Sequence, residues 1–133
     1  MVVKNLLFLI ASGLLMLFLS ACEGGSINIK ISNLSDHDIS VYYRTDHGED
    51  TTKIARSNSE LFIYQQGSLG NRGDSTLLLR HIDTISLSLH DSLTVTKDIY
   101  NEQNWENTNT PFKKGFKGEN EFFVFTVTSN DIH

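Results

Sequence analysis

Beyond the first two dozen residues, apolar side chains recur at every second position far more often than at every third or fourth. Ile27, Ile29 and Ile31 alternate with Asn28, Lys30 and Ser32. Successive side chains of a strand point to opposite faces, so this run predicts a half-buried strand. Asn33 to His37 is turn-like. Ile39, Val41 and Tyr43 then alternate with Ser40, Tyr42 and Arg44, giving a second strand. A polar loop is expected from Thr45 to Asn58, and a strand rich in aromatic and branched residues from Glu60 to Gln65. Gly67 to Asp74 reads as a glycine-punctuated loop and Thr76 to Arg80 as a short strand. Ile85, Leu87 and Leu89 alternate with Thr84, Ser86 and Ser88, and Leu93 and Val95 with Thr94 and Thr96. The pattern predicts a hairpin that pairs Leu89 with Leu93 and Leu87 with Val95. Its turn is His90-Asp91-Ser92, and its outer face carries the hydroxyl side chains. Asn101 to Gly118 is polar and reads as a loop around Trp105 and the only proline, Pro111. Glu121 to Thr128 contains Phe122-Phe123-Val124-Phe125-Thr126-Val127, apolar on both faces, as in a strand packed between layers.

About seven short strands separated by polar turns predict a single all-β domain over residues 27–133. The expected fold is one antiparallel β-sandwich of immunoglobulin-like architecture, without the cysteine pair of true immunoglobulin domains. A small antiparallel barrel is the alternative.

The N-terminus follows a different pattern. Lys4 is the only charge before an apolar run from Leu6 to Leu19, and Ser20 and Ala21 are small. These are the three parts of an export signal. A membrane span needs about 20 apolar residues; this run is shorter, is broken by Gly13 and has no basic cluster after it. Leu19-Ser20-Ala21-Cys22 resembles the lipobox of bacterial lipoproteins. The resemblance implies cleavage before Cys22, a diacylglyceryl thioether on its sulfur and an acyl chain such as palmitate on its new amine. Residues 1–21 are then a signal peptide and residues 22–26 a lipidated cysteine and tether, with Gly24-Gly25-Ser26 as the flexible part. One acyl chain holds a protein marginally and two or more hold it stably. The organisation also resembles small Bacteroidota lipoproteins, through this lipobox, Ile-Ser-Asn-Leu-Ser-Asp before a Tyr-Tyr strand, and the closing Phe-Thr-Val-Thr-Ser-Asn-Asp-Ile. It implies a lipid anchor in a bacterial cell envelope, in the outer membrane before the inner, with the periplasmic or surface face left open. Surface-export signals of that group carry an acidic run after the cysteine, whereas here Glu23 stands alone.

Composition narrows the chemistry. Cys22 is the only cysteine. Once lipid occupies it, no disulfide, thiol nucleophile or cysteine metal site remains, and the domain is held by its core. The net charge is −5, and loss of Lys4 with the leader makes the mature chain more acidic. Non-specific nucleic-acid binding rests on a basic face, so no nucleic-acid partner is expected.

Asp36-His37-Asp38 and Asp46-His47-Gly48-Glu49-Asp50 concentrate hard-metal ligands, but neither has the ligand number and spacing of a calcium loop, and no HExxH pair exists for zinc. No metal or other cofactor is expected. His81, Asp83 and Ser92 are a conceivable hydrolytic trio without a Gly-x-Ser-x-Gly elbow. Arg72-Gly73-Asp74 spells an adhesion tripeptide that a glycine turn explains as well. Lys113, Lys114 and Lys117, interleaved with Phe112 and Phe116, suit lipid headgroups, an acidic partner or an edge guard. Asp91-Ser92 is the most accessible of several short sequences that resemble Bacteroidota O-glycosylation sites. Trp105, between Asn104 and Asn107, can stack on a sugar while the amides bond its hydroxyls; the competing reading folds the indole over the sandwich.

The chain therefore reads as a membrane-anchored envelope lipoprotein with a non-catalytic, partner-binding or structural role. The alternative is an accessory glycan-binding lipoprotein that uses Trp105, Asn104 and Asn107; a small envelope hydrolase is the third reading. The expected partners are the membrane, through lipid on Cys22, and an envelope protein or glycan.

Overall fold

A computed structural model of the chain describes residues 24–69, 81–90, 92–112 and 117–133. The described residues form seven strands: β1 (Gly24–Asn33), β2 (Ile39–Thr45), β3 (Asp50–Ala55), β4 (Ser59–Leu69), β5 (Ile82–Ser88), β6 (Trp105–Pro111) and β7 (Glu119–Val127). Short 3-10 turns at Glu102–Asn104 and Ser129–Asp131 flank β6 and β7. The strands make two sheets, β4-β1-β7-β6 and β3-β2-β5, packed as a sandwich.

The alternation read in β1, β2 and β7 decides which faces meet. Ile27, Ile29 and Ile31 of β1 and Phe123, Phe125 and Val127 of β7 turn inward. Ile39, Val41 and Tyr43 of β2 and Ile82 and Ile85 of β5 meet them from the other sheet. β4 breaks the alternation with a bulge: Ile29 pairs with Tyr64 and Lys30 with Phe62. The extra residue, Ile63, is buried, so two neighbouring side chains of one strand serve the core.

β7 is central, as its apolar faces predict, lying between β1 and β6. Its two faces are not equally buried. Phe123 and Phe125 are buried, whereas Phe122 and Val124 on the outer face are half-buried. β1 and β7 run parallel, the one exception among the sheet pairings. The layering is that of an immunoglobulin domain, but the strand order differs from its ABED and CFG sheets.

Several expectations are corrected. The polar stretch 45–58 contains β3, antiparallel to β2 through a tight turn in which Gly48 has φ 78°. The polar stretch 101–118 contains β6, antiparallel to β7. Both are edge strands that give the core little beyond Ala55 and one face of Trp105, so most of their side chains are polar and give no periodic signal. β4 runs on to Leu69, into the stretch read as loop. The hairpin of Leu89 with Leu93 does not form. β5 pairs with β2, and Val95 instead makes an isolated bridge with Ile132. The left-handed residue after β5 is Ser92, at φ 63°. The two faces still divide as the alternation predicts: Thr84, Ser86, Ser88, Thr94 and Thr96 are exposed, Ile85 is buried, and Leu87 and Leu89 are half-buried against the core. Gly24-Gly25-Ser26, read as a tether, is the start of β1, and both glycines are buried. The strand expected at Thr76 to Arg80 lies outside the described residues.

One polar group ties the layers together. Asn33 is fully buried at the end of β1. Its amide donates to the carbonyls of His37 (2.7 Å) and Ala55 (2.8 Å), and its oxygen accepts from the Ser35 N–H (3.1 Å) and hydroxyl (2.6 Å). A fully satisfied buried amide stabilises one arrangement against its alternatives, because any other leaves it unpaired.

Candidate functional site

Strand directions sort the polar side chains into two ends. β1 and β7 end together, where the Leu34 N–H donates to the Val127 carbonyl at 2.8 Å. The 34–38 turn, the starts of β2, β4 and β6 and the ends of β3 and β5 share this distal end. The opposite end holds the start of β1, the end of β6 and the start of β7.

The acidic segments do not assemble ligands. Asp36 lies 3.4 Å from its neighbour His37 and accepts from the Ser129 hydroxyl, while Asp38 accepts from the Ser57 N–H at 2.8 Å. Asp50 pairs across the hairpin with Arg44 at 2.6 Å and accepts from the Tyr42 hydroxyl at 3.1 Å. These bonds, Arg44 first, hold the Asp50 carboxyl below the ordinary carboxylate range and push the Arg44 guanidinium up. Among the described residues no three His, Cys, Asp or Glu side chains form a metal-holding group.

His81 does meet an acid, but not Asp83. Its Nδ1 lies 3.4 Å from Asp46 and 3.4 Å from the Tyr64 hydroxyl, and its ring stacks on Tyr64 at 5.0 Å between centroids. Tyr64 donates to Gln66 at 2.7 Å. Burial, then the Asp46 charge, raises the Tyr64 pKa. The arrangement orients an imidazole against a phenol and a carboxylate. Both His81 distances are at the outer limit of a hydrogen bond. Asp46 lies 35 residues from His81, so no local spacing announced the pair. Asp83 and Ser92 are exposed.

Trp105 opens β6 at the distal end, opposite Phe125. Its indole N–H donates to the Ile99 carbonyl at 2.8 Å, and its ring tilts against Phe125 at 5.2 Å. The ring therefore spends one face on the core and its donor on the backbone. Asn104 and Trp105 border an open hollow of about 420 Å³ with Lys97, Gln103, Glu106, Val124 and Thr126. The Asn104 amide donates to the Asp98 carbonyl. Asn107 is not in that hollow: it donates to the buried carboxylate of Glu121 at 3.0 Å. The other Glu121 oxygen has no hydrogen-bond partner among the described residues. The structure thus brings two of the three proposed sugar-binding residues together and gives the third an internal task.

A second distal hollow, about 310 Å³, went unread in the sequence. It is lined by Asp38, Ser40, Ile54, Ser88, Leu89 and His90, drawn from three separate stretches of the chain. Ile54 on β3 is 57% exposed at its margin, an apolar residue on an edge strand that packs nothing.

Cys22, Arg72-Gly73-Asp74, Asp91, Lys113, Lys114 and Phe116 lie outside the described residues. The residues beside them are well defined. Gly24 N–H donates to the Lys117 carbonyl at 2.8 Å and Phe112 N–H to the Gly118 carbonyl at 3.1 Å. A side chain on Gly24 would run into the Phe112 ring, and one on Gly118 into the Gly24 backbone. Gly118 also has φ 120°, where only glycine is unstrained. Among the described residues no helix is long and apolar enough to cross a membrane.

No family model, no curated protein and no solved structure matches the chain.

Proposed function

We propose that this protein is a cell-envelope lipoprotein whose β-sandwich docks or supports a partner without catalysis. One observation carries the reading: Cys22, which ends the lipobox-like run, stands two residues upstream of Gly24, where β1 begins. An export leader that ends at an acyl acceptor directly before a folded domain suits a protein held at a membrane surface without crossing it. Cys22→Ser removes the acceptor. Wild type is expected to partition into detergent and carry acyl mass on Cys22, while the variant keeps its leader. Identical mobility and partitioning of the two overturns the proposal.

A second reading, glycan binding, is favoured by the hollow beside Trp105, whose rim offers Gln103, Asn104, Glu106 and Lys97 to hydroxyl groups. Trp105 is the only tryptophan, so its fluorescence reports on that hollow alone. A saturable blue shift on titration with envelope glycans supports this reading; an unchanged spectrum with every glycan removes it.

A further inference from the structure

The strand directions and the short joint together bear on how the domain is held. Only Glu23 separates Cys22 from Gly24. Two residues of extended chain reach at most ~7 Å. Gly24 is no swivel: it is buried, bonded to the Lys117 carbonyl, covered by Phe112 and pressed against Gly118. Its neighbour Gly25 pairs with Ser68 of β4. From Gly24 onward the chain is therefore held by β4 and by the residues that flank β6 and β7.

We infer that the sandwich stands upright on the membrane, with the Gly24–Phe112–Lys117–Gly118 end seated against the lipid headgroups and both distal hollows turned away from the bilayer. This rests on the lipid anchor proposed above. The parallel pairing of β1 and β7 makes the geometry polar. Every strand that leaves the anchored end arrives at the end carrying Leu34, Asp38, His90 and Trp105. β1 has ten residues, which at about 3.3 Å each places that end roughly 30 Å from the anchor. A freely jointed tether would let the domain lie on its side and bury the hollows in the headgroups. A gripped one holds them out towards an envelope partner. The partner at the near end is the headgroup layer itself, zwitterionic lipid included, because acyl chains supply the attachment and the chain is net acidic.

The test uses the mature acylated protein in phosphatidylcholine vesicles doped with lipid that carries a nitroxide on its headgroup. A bimane label goes on Lys117→Cys or on Leu34→Cys, both exposed in the wild type. The label at position 117 should lose most of its fluorescence, and the label at position 34 should keep most of it. Inserting about ten Gly/Ser residues between Glu23 and Gly24 lets the chain reach roughly 17 Å as a coil and should erase the difference. Equal quenching at the two sites without the insertion overturns the orientation, as does stronger quenching at position 34 or a difference that survives the insertion. Mass spectrometry of the same sample separates the two failures. Acylated Cys22 with equal quenching sinks the orientation alone, whereas unmodified Cys22 sinks the anchor and the orientation with it.

Discussion

β7 and β6 are neighbours in one sheet, yet they are held by different forces. β7 sits between two strands and supplies Phe123, Phe125 and Val127 to the core, with Phe122 and Val124 half-covered outside. β6 is bonded on one edge among the described residues; beyond Trp105 its side chains are exposed. The first strand is placed by burial of apolar area, which any register error would lose. The second is placed by the backbone ladder to β7 and by a few side-chain bonds, such as Asn107 to Glu121 and Asn109 to Glu119. β3 repeats the lesson in the other sheet: its only buried residue is Ala55, at its end. A central strand announces itself in the composition of its own residues. An edge strand is specified by its neighbour.

The contrast can be broken by substitution, with unfolding of residues 22–133 carrying Cys22→Ser as the measurement. Phe125→Ala empties the fully buried centre of β7 and should cost about 3–5 kcal/mol. A loss no larger than that of an exposed site would mean that β7 is not the structural centre. Asn107→Ala on the edge strand should cost about 1–3 kcal/mol, because it removes the one hydrogen bond that the Glu121 carboxylate receives among the described residues and leaves that buried group unpaired there. Asn109→Ala, which loses an exposed bond to Glu119, controls for strand propensity and for the loss of a solvent-exposed amide bond. Equal effects of the two would show that Glu121 does not need Asn107.

Phe122→Ala tests the outer face of β7. The ring is half-buried and lies 5.7 Å from the Lys30 ammonium, which also pairs with Glu60 at 2.8 Å. Truncation should cost about 1–2 kcal/mol, part of the value of a fully buried side chain. An effect as large as that of Phe125→Ala would show a second layer covering this face. The turn after β7 gives a smaller, pH-dependent effect. Burial pushes the Asp131 carboxyl up, but the N–H and hydroxyl of Thr128, with Lys97 and His133 near, together hold it below its ordinary value. A depressed folded pKa means that the ionised form stabilises the fold. That stability is present above the unfolded value of about 3.9 and fades as pH falls through the lower folded value. Asp131→Asn should therefore cost about 1 kcal/mol near neutrality, as for a lost helix cap, and less in acid. A penalty that does not shrink at low pH would assign the effect to something other than the carboxylate. Smallest of all, Ile54→Ser on β3 should change stability by less than about 0.5 kcal/mol, since the side chain is 57% exposed. A larger loss would mean that this edge is buried in an assembly.

By itself the sequence determined the all-β class and the inward face of each strand that contributes a core stripe. Burial has a period, and Ile27, Ile29, Ile31, Val41, Ile85 and Phe125 display it locally. It also displayed an apolar run that ends at Cys22, the linear pattern on which the proposed anchor rests. It did not determine the edges β3 and β6, whose polar residues follow no period. Nor did it determine the pairing of β5: the same alternation serves a hairpin with Leu93 as well as it serves a ladder with β2. Side-chain patterns specify a face and a ladder specifies a partner, and backbone hydrogen bonds are blind to residue type. Tertiary structure alone decided the sites. Asp46 reaches His81, Asn107 turns to Glu121 and Gly24 seats under Phe112 because the sheets carry residues distant in sequence to one place. The parallel β1–β7 pair, invisible in either strand's composition, is what separates the Gly24 end from the end that carries both hollows.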